Sequence, residues 1–468
     1  MRASAVSDDT GRHLQAFASG YPRWLAPAYL ILVPTTFSFL AWAVLIGWCA
    51  AGQCPAGSWL ELRGFLEPAA LSLPGVILLL AWYTAVVVSA TIGWRVGLDS
   101  PASPVLVERT LLVAFERRFF LVMLVVAAVG VGISYLTIAG STSIVGSLAG
   151  QTGNSFSQAL PNAAGPTTLR YAAILAAPIG VYLWQKKAIG FAYVGGAVAL
   201  LLMNGLIASR MSLLMAVAVY LVIRISQRVR SGSRRPPASL GTTRWRPLVV
   251  AVLVLFGLLT VMNLFRNGNY YREHGVSNPV AMNIYQMGSY AAVPAQVSLG
   301  VSDAIMQGRF DLPGDIVESY AAALPSFLLS PSEAPDKTEI SQSDYGFTVS
   351  FSENFTTNSE FADTYIRQGI WGLLYTLALF PFAGFLYARL LSYGPVLAGT
   401  GGLIAYCLCE VWRIQLLTQG IVVFLILLTG FGAAAASVGL VPMPVGTSRL
   451  RQGFLRQDHS RQEVYLDE

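Results

Sequence analysis

The chain has 468 residues, of which 54% are apolar and only 12% charged, against roughly a quarter charged in an ordinary soluble domain. A soluble core cannot absorb that much apolar surface, so the composition excludes a soluble globular protein and implies an all-α polytopic membrane protein. The formal charge of +6 does not point to nucleic acid, because most of the basic excess lies in short loops beside apolar runs, where it reports topology.

In chain order, the first 24 residues are polar, and the apolar run that follows lacks a small-residue cleavage site, so it reads as a retained helix. Apolar runs set between breakers predict about ten spans: 25–48, 68–94, 119–140, 169–185, 188–207, 211–227, 247–265, 370–389, 396–416 and 418–438. Cys49 and Cys54 bracket the end of the first span and would close a small disulfide in an oxidising compartment, two free thiols being the alternative. Cys407 and Cys409 fall inside a span. The histidines His13, His274 and His459 are far apart, so no metal-site spacing and no cofactor is implied. No repeat of fixed period and no inverted duplication is visible, which disfavours the common transporter architectures.

An even number of spans puts both termini on one side. With that side cytoplasmic, 21 of the 30 basic residues are internal, seven of them between Arg224 and Arg246. The expected organisation is a cytoplasmic tail at 1–24, seven helices over 25–266, an external segment at 267–369, three helices over 370–438 and a cytoplasmic tail at 439–468. The external segment carries twelve acidic residues against four basic ones. Its length predicts a functional, partly helical lid rather than a connector.

The external basic residues carry the functional signal. Arg210 lies in the turn between the fifth and sixth spans, Arg266 ends the seventh, and Arg413 lies near the outer end of the ninth, three residues after Glu410. Arginines at this depth are costly and normally face an anionic partner. Guanidinium forks suit phosphate and pyrophosphate, and no lysine replaces them here. Snorkelling to headgroups is the alternative for each. Glu410 is the expected internal partner of Arg413. Tyr270, Tyr271, Arg272, Glu273 and His274 form a polar aromatic cluster outside span seven, either a sugar-contacting surface or an interfacial belt. Glu353, Glu360 and Asp363 approach span eight as candidate bases or as solvated loop carboxylates.

Four segments resemble the Wzy-type O-antigen or oligosaccharide repeat-unit polymerases, and within them the enterobacterial common antigen polymerase branch. These are Ala208-Ser209-Arg210-Met211-Ser212; Leu264-Phe265-Arg266 with Tyr285 to Tyr290 and Pro294; Leu324 to Leu328 with Pro331 and Pro335; and Glu360 to Tyr365 leading to Gly369 and Gly372. Arg413 falls where the family has a late-helix arginine, and the likeness covers roughly residues 200–420. The resemblance implies a GT-C-like, inverting, metal-independent glycosyltransferase of a bacterial cytoplasmic membrane. It would move a glycan from an undecaprenyl-pyrophosphate donor onto a second lipid-linked repeat unit at the outer face. Arg210, Arg266 and Arg413 would hold the pyrophosphate; Tyr270, Tyr271, Arg272 and Tyr290 would meet sugar; Glu360, Asp363 or His274 would serve catalysis. Donor and acceptor glycolipids, membrane lipids, a chain-length regulator and a flippase are the implied partners.

Three rivals remain at this stage. An O-antigen ligase would need an essential external histidine, for which His274 is the candidate. Another GT-C enzyme would place acids in the first external loop, which has Glu61 and Glu67. A lipid-linked oligosaccharide flippase would place charges at mid-depth.

Overall fold

The computed structural model describes residues 21–48, 72–100, 109–150, 156, 159–160, 165–208, 210–230, 245–273, 275–308 and 359–439. Among these residues every regular element is helical, the result expected where backbone polar groups have no water to bond. The long helices are α1 (Pro27–Trp48), α2 (Leu73–Asp99), α3 (Arg109–Ser141), α4 (Ala173–Gln185), α5 (Phe191–Ala208), α6 (Arg210–Arg230), α7 (Trp245–Glu273), α8 (Pro279–Met306), α9 (Glu360–Ser392), α10 (Pro395–Cys409) and α11 (Gly420–Ser437).

Each apolar segment expected from the sequence overlaps one of these helices. Six of them are long and apolar enough to span a bilayer by themselves, while α5 and α10 are apolar but shorter. The chain is an all-α polytopic membrane protein. The expected count of ten spans exceeds what length and hydropathy deliver alone, because α10 ends at Cys409 in a run of turns rather than continuing. Helix α4 is likewise short and is preceded by a 3-10 turn, Pro166–Ala172.

Local chemistry sets the helix starts. Ser72 caps α2 by accepting the Gly75 N–H at 3.2 Å, and Asn278 caps α8 at 2.8 Å from the Val280 nitrogen, with proline at the first helical position. Ser359 caps α9 at 3.0 Å from the Ala362 nitrogen, and the acids Glu360 and Asp363 occupy that first turn, where the helix dipole favours negative charge.

Glycines allow the tightest contact, between α2 and α9. A Cβ on Gly93 would sit 1.8 Å from the Pro381 carbonyl oxygen, and one on Gly384 would sit 2.1 Å from that of Ala90. Small residues replacing side chains with backbone are the usual means of close helix approach in a membrane.

Two ends of the bundle differ chemically. At one, Arg118 donates to the Val438 carbonyl, Lys186 pairs with Glu116, Arg224 donates to Gln185, Arg230 to the Ser392 carbonyl and Arg389 to the Ser100 carbonyl. These are residues that the positive-inside bias assigns to the cytoplasm. Arg266 and Arg413 belong to the far end.

Helix α8 departs most from the sequence reading. It falls within the segment 267–369, expected to lie over the bundle as a lid, yet it packs against α1, α2 and α7. The Ser38 hydroxyl donates to the Ala291 carbonyl, Trp42 donates to Gln296, and Asn283 donates to the Thr260 hydroxyl. From Ala292 to Leu299 every residue is buried. The physical reason is polar satisfaction: α8 carries amides and hydroxyls that α1, α2 and α7 pair inside the bundle. Residues 309–358, including Glu353, the Leu324 to Pro335 segment and the rest of the expected lid, lie outside the described residues. So do Cys49, Cys54 and His274.

Candidate functional site

The far-end charges gather where the start of α9, the turns after α10, and the middle of α8 meet. The Glu360 backbone N–H donates to the Val411 carbonyl at 3.2 Å, and the Gln415 N–H donates to the Asp363 carboxylate at 3.4 Å. These two bonds tie the α9 start to the chain between α10 and α11. Phe361 meets Trp82 edge-on at 5.5 Å. Trp82 lies nine residues past Leu73, the start of α2, so the acidic turn is recessed about 13 Å from that helix end at ~1.5 Å per residue.

Arg413 pairs with Glu410 at 2.5 Å, with the two side chains 17% and 10% exposed. The Arg413 guanidinium also lies 5.4 Å from the centre of the Tyr290 ring, a cation–π geometry. Tyr290 is in electrostatic reach of Arg266 as well. Arg266 and Arg413 thus converge on one tyrosine, and Gln286 donates to its hydroxyl at 3.5 Å.

Beside this cationic pair lies the opposite chemistry. Glu360 is 1% exposed, and neither carboxyl oxygen has a hydrogen-bond partner among the described residues. Burial first, and the neighbouring Asp363 second, hold its pKa well above the ordinary carboxylate range, which favours its protonated form. Thr364 Oγ1, Gln415 Nε2 and Gln286 Oε1 are also buried without partners among the described residues. Orphaned polar atoms on adjoining elements leave hydrogen-bonding capacity that the described protein groups do not use.

The sequence candidates are distributed as follows. Arg266, Arg413, Glu410 and Tyr290 share one cluster, with Glu360 and Asp363 next to it through Val411 and Gln415. Neither acid is a solvated loop carboxylate: Glu360 is 1% and Asp363 6% exposed. Arg210 opens α6, but its side chain lies outside the described residues. Gly205 of α5 touches both neighbouring helices: a Cβ there would meet the Met262 methyl of α7 at 3.0 Å and Leu213 of α6 at 3.5 Å. Tyr270 and Tyr271 stack edge-on at 5.7 Å on the last turns of α7. Tyr271 is 2% exposed, which removes it from an interfacial belt, whereas Arg272 is exposed.

No site role was expected from the sequence for Trp82, Gln286, Thr364, Tyr406 or Gln415, although Gln286 and Thr364 lie within the segments that resemble the family. Only Tyr406 carried a readable signal, since it precedes Glu410 by four residues and Arg413 by seven and so shares their helical face. Compared with known proteins, the chain matches no family model, no curated protein and no solved structure.

Among the described residues no group of three or more histidine, cysteine or acidic side chains has the arrangement to hold a metal ion. What the cluster offers is cationic binding by two arginines beside a buried carboxyl pair, Glu360 and Asp363, in which burial favours the protonated form of Glu360.

Proposed function

We propose that the chain is an inverting membrane glycosyltransferase that polymerises undecaprenyl-pyrophosphate-linked oligosaccharide repeat units at the outer face of a bacterial cytoplasmic membrane. The observation that supports this reading is the convergence of Arg266 and Arg413 on Tyr290, next to the recessed pair Glu360 and Asp363. In the reaction, an acceptor hydroxyl attacks the anomeric carbon of the donor sugar as the bond to the pyrophosphate oxygen breaks. The electron pair leaves with the pyrophosphate, whose growing charge the arginines stabilise in place of a metal ion. The hydroxyl proton passes to Asp363, while Glu360, whose protonated form burial favours, donates a hydrogen bond to substrate. The partners are the donor and acceptor glycolipids.

The test compares Arg210, Arg266 and Arg413 as Lys and as Ala variants, reading polymer formation against membrane abundance. A point-like ammonium does not reproduce a fork on phosphate, so each Lys variant loses most of its polymer at normal abundance. Wild-type polymer from all three Lys variants would reduce the arginines to interfacial anchors.

One observation favours a second reading. A buried acid recessed below a helix end is also the hallmark of a proton-coupled carrier, and Glu360 has that placement. Proton-dependent translocation of lipid-linked oligosaccharide in vesicles, without chain growth, would establish transport in place of transfer.

A further inference from the structure

The sequence does not single out Arg170, yet the structure buries it. It lies in the 3-10 turn Pro166–Ala172 before α4 and is 9% exposed. One guanidinium nitrogen donates to the Thr167 carbonyl at 3.0 Å and the other to the Tyr171 hydroxyl at 3.0 Å. Among the described residues the Nε–H is buried with no partner, and no carboxylate stands within ion-pair distance of the guanidinium. The preceding stretch 151–165 contains no acid either.

The turn is held firmly. A Cβ on Gly130 of α3 would fall 2.0 Å from the Arg170 backbone nitrogen, so the two backbones are in direct contact. The Ser134 hydroxyl, one turn farther along α3, bonds the Gly130 carbonyl at 2.7 Å and approaches the Thr167 carbonyl at 3.5 Å. Tyr135 next to it reaches the Met203 carbonyl at 3.0 Å, which brings in α5 beside the turn. The neighbouring Asn204 is fully buried, and both its amide atoms lack a partner among the described residues. Two polar side chains with unused hydrogen-bonding capacity therefore sit on elements that touch each other.

Gly130 is eleven residues from Ser141, the far end of α3, a recess of about 17 Å at ~1.5 Å per residue. The arginine turn also packs against α11, the helix that follows the Arg413 segment. A buried cation without a counter-charge is unfavourable at such depth, and a ligand anion removes the penalty. The Tyr171 hydroxyl accepts from the guanidinium, so its own proton is left to donate. Arginine and tyrosine together present donors to a tetrahedral oxyanion.

We infer that Arg170 and Tyr171 form a second anion seat at the far end of the bundle, taking the phosphate or pyrophosphate of a membrane lipid. Under the transfer reaction its occupant is the second lipid-linked substrate, and that identification rests on the proposed function. The seat itself does not.

The test is native mass spectrometry of the full chain in detergent, titrated with undecaprenyl pyrophosphate or with phosphatidylglycerol. The variants are Arg170→Gln, Arg170→Lys, Tyr171→Phe and Arg413→Lys. Wild type takes up two equivalents of undecaprenyl pyrophosphate. Arg170→Gln weakens one of them roughly tenfold or more, Tyr171→Phe weakens the same one less, and Arg413→Lys affects the other. Tyr171→Phe keeps the guanidinium and its bond to Thr167, so it reports on the seat even where Arg170→Gln unfolds. Two unchanged equivalents in Tyr171→Phe and Arg170→Lys would overturn the seat and leave Arg170 as a structural tie of its turn. Equal uptake of phosphatidylglycerol at the Arg170 seat would keep the seat and overturn its assignment to a substrate. Intact uptake at both sites with no polymer under any condition would keep the seat and discard the transfer reading.

Discussion

The Arg413–Glu410 pair separates a structural role from a functional one. Both side chains are largely buried, 17% and 10% exposed, and lie 2.5 Å apart. Removing one partner leaves a buried charge uncompensated, at a cost of roughly 3–5 kcal/mol. Glu410→Gln strands a guanidinium that does not deprotonate in the working pH range, so the destabilisation is expected to be near that size. It corresponds to a loss of at least about a hundredfold in the folding equilibrium at ~1.4 kcal/mol per decade. Replacing both residues at once, as Glu410→Met with Arg413→Met, removes both charges and restores apolar packing. A double variant of that kind commonly matches wild type or exceeds it. We expect each single variant to melt well below wild type in detergent and the double variant to melt within about 1 kcal/mol of it. The double variant nevertheless makes no polymer, because the cation needed by the leaving group is gone. Polymer from a stable double variant would refute the functional role of Arg413. A double variant as unstable as the singles would refute the premise that charge desolvation sets the cost.

Two further outcomes follow from geometry and titration. Gly93→Ala places a Cβ 1.8 Å from the Pro381 carbonyl oxygen and is expected to destabilise by about 1–3 kcal/mol, whereas Gly132→Ala, with nothing within 4 Å, stays within about 0.5 kcal/mol of wild type; equal melting temperatures would refute the α2–α9 contact. Glu360 has a raised pKa from burial and from Asp363, so the folded state binds its proton more tightly than the unfolded chain. Its contribution is fully present below the unfolded value of ~4.3 and is lost as pH rises through the folded value. Glu360→Gln removes that dependence, and the stability of wild type relative to this variant is expected to fall as the pH of the melt rises from 5 to 8. A difference between the two that does not change over that range would show that Glu360 is not held neutral.

The spans were legible because an uncharged run of about twenty residues has one economical solution in hydrocarbon. The Glu410–Arg413 pair was legible for a similar local reason, three residues of spacing bringing both onto one face. Helix α8 was not, because Asn283, Gln286, Gln296, Ser298, Ser302 and Asp303 depress its hydropathy although all are buried. Its acceptable placement depends on partners such as Ser38, Trp42 and Thr260, which belong to other helices. The same holds for Glu360: a first-turn acid after Ser359 reads as a solvated helix start, and its recess exists only because Trp82 and Val411 close around that turn. Arg170 is the sharpest case, since nothing in Thr167-Thr168-Leu169-Arg170-Tyr171 distinguishes an interfacial anchor from a buried cation. The distinction is made by Gly130, forty residues earlier, whose missing side chain lets the turn sink against α3. Depth in this protein is therefore a tertiary property. It is set by which backbones approach one another, and the chemical value of each far-end charge follows from that depth rather than from its neighbours in the chain.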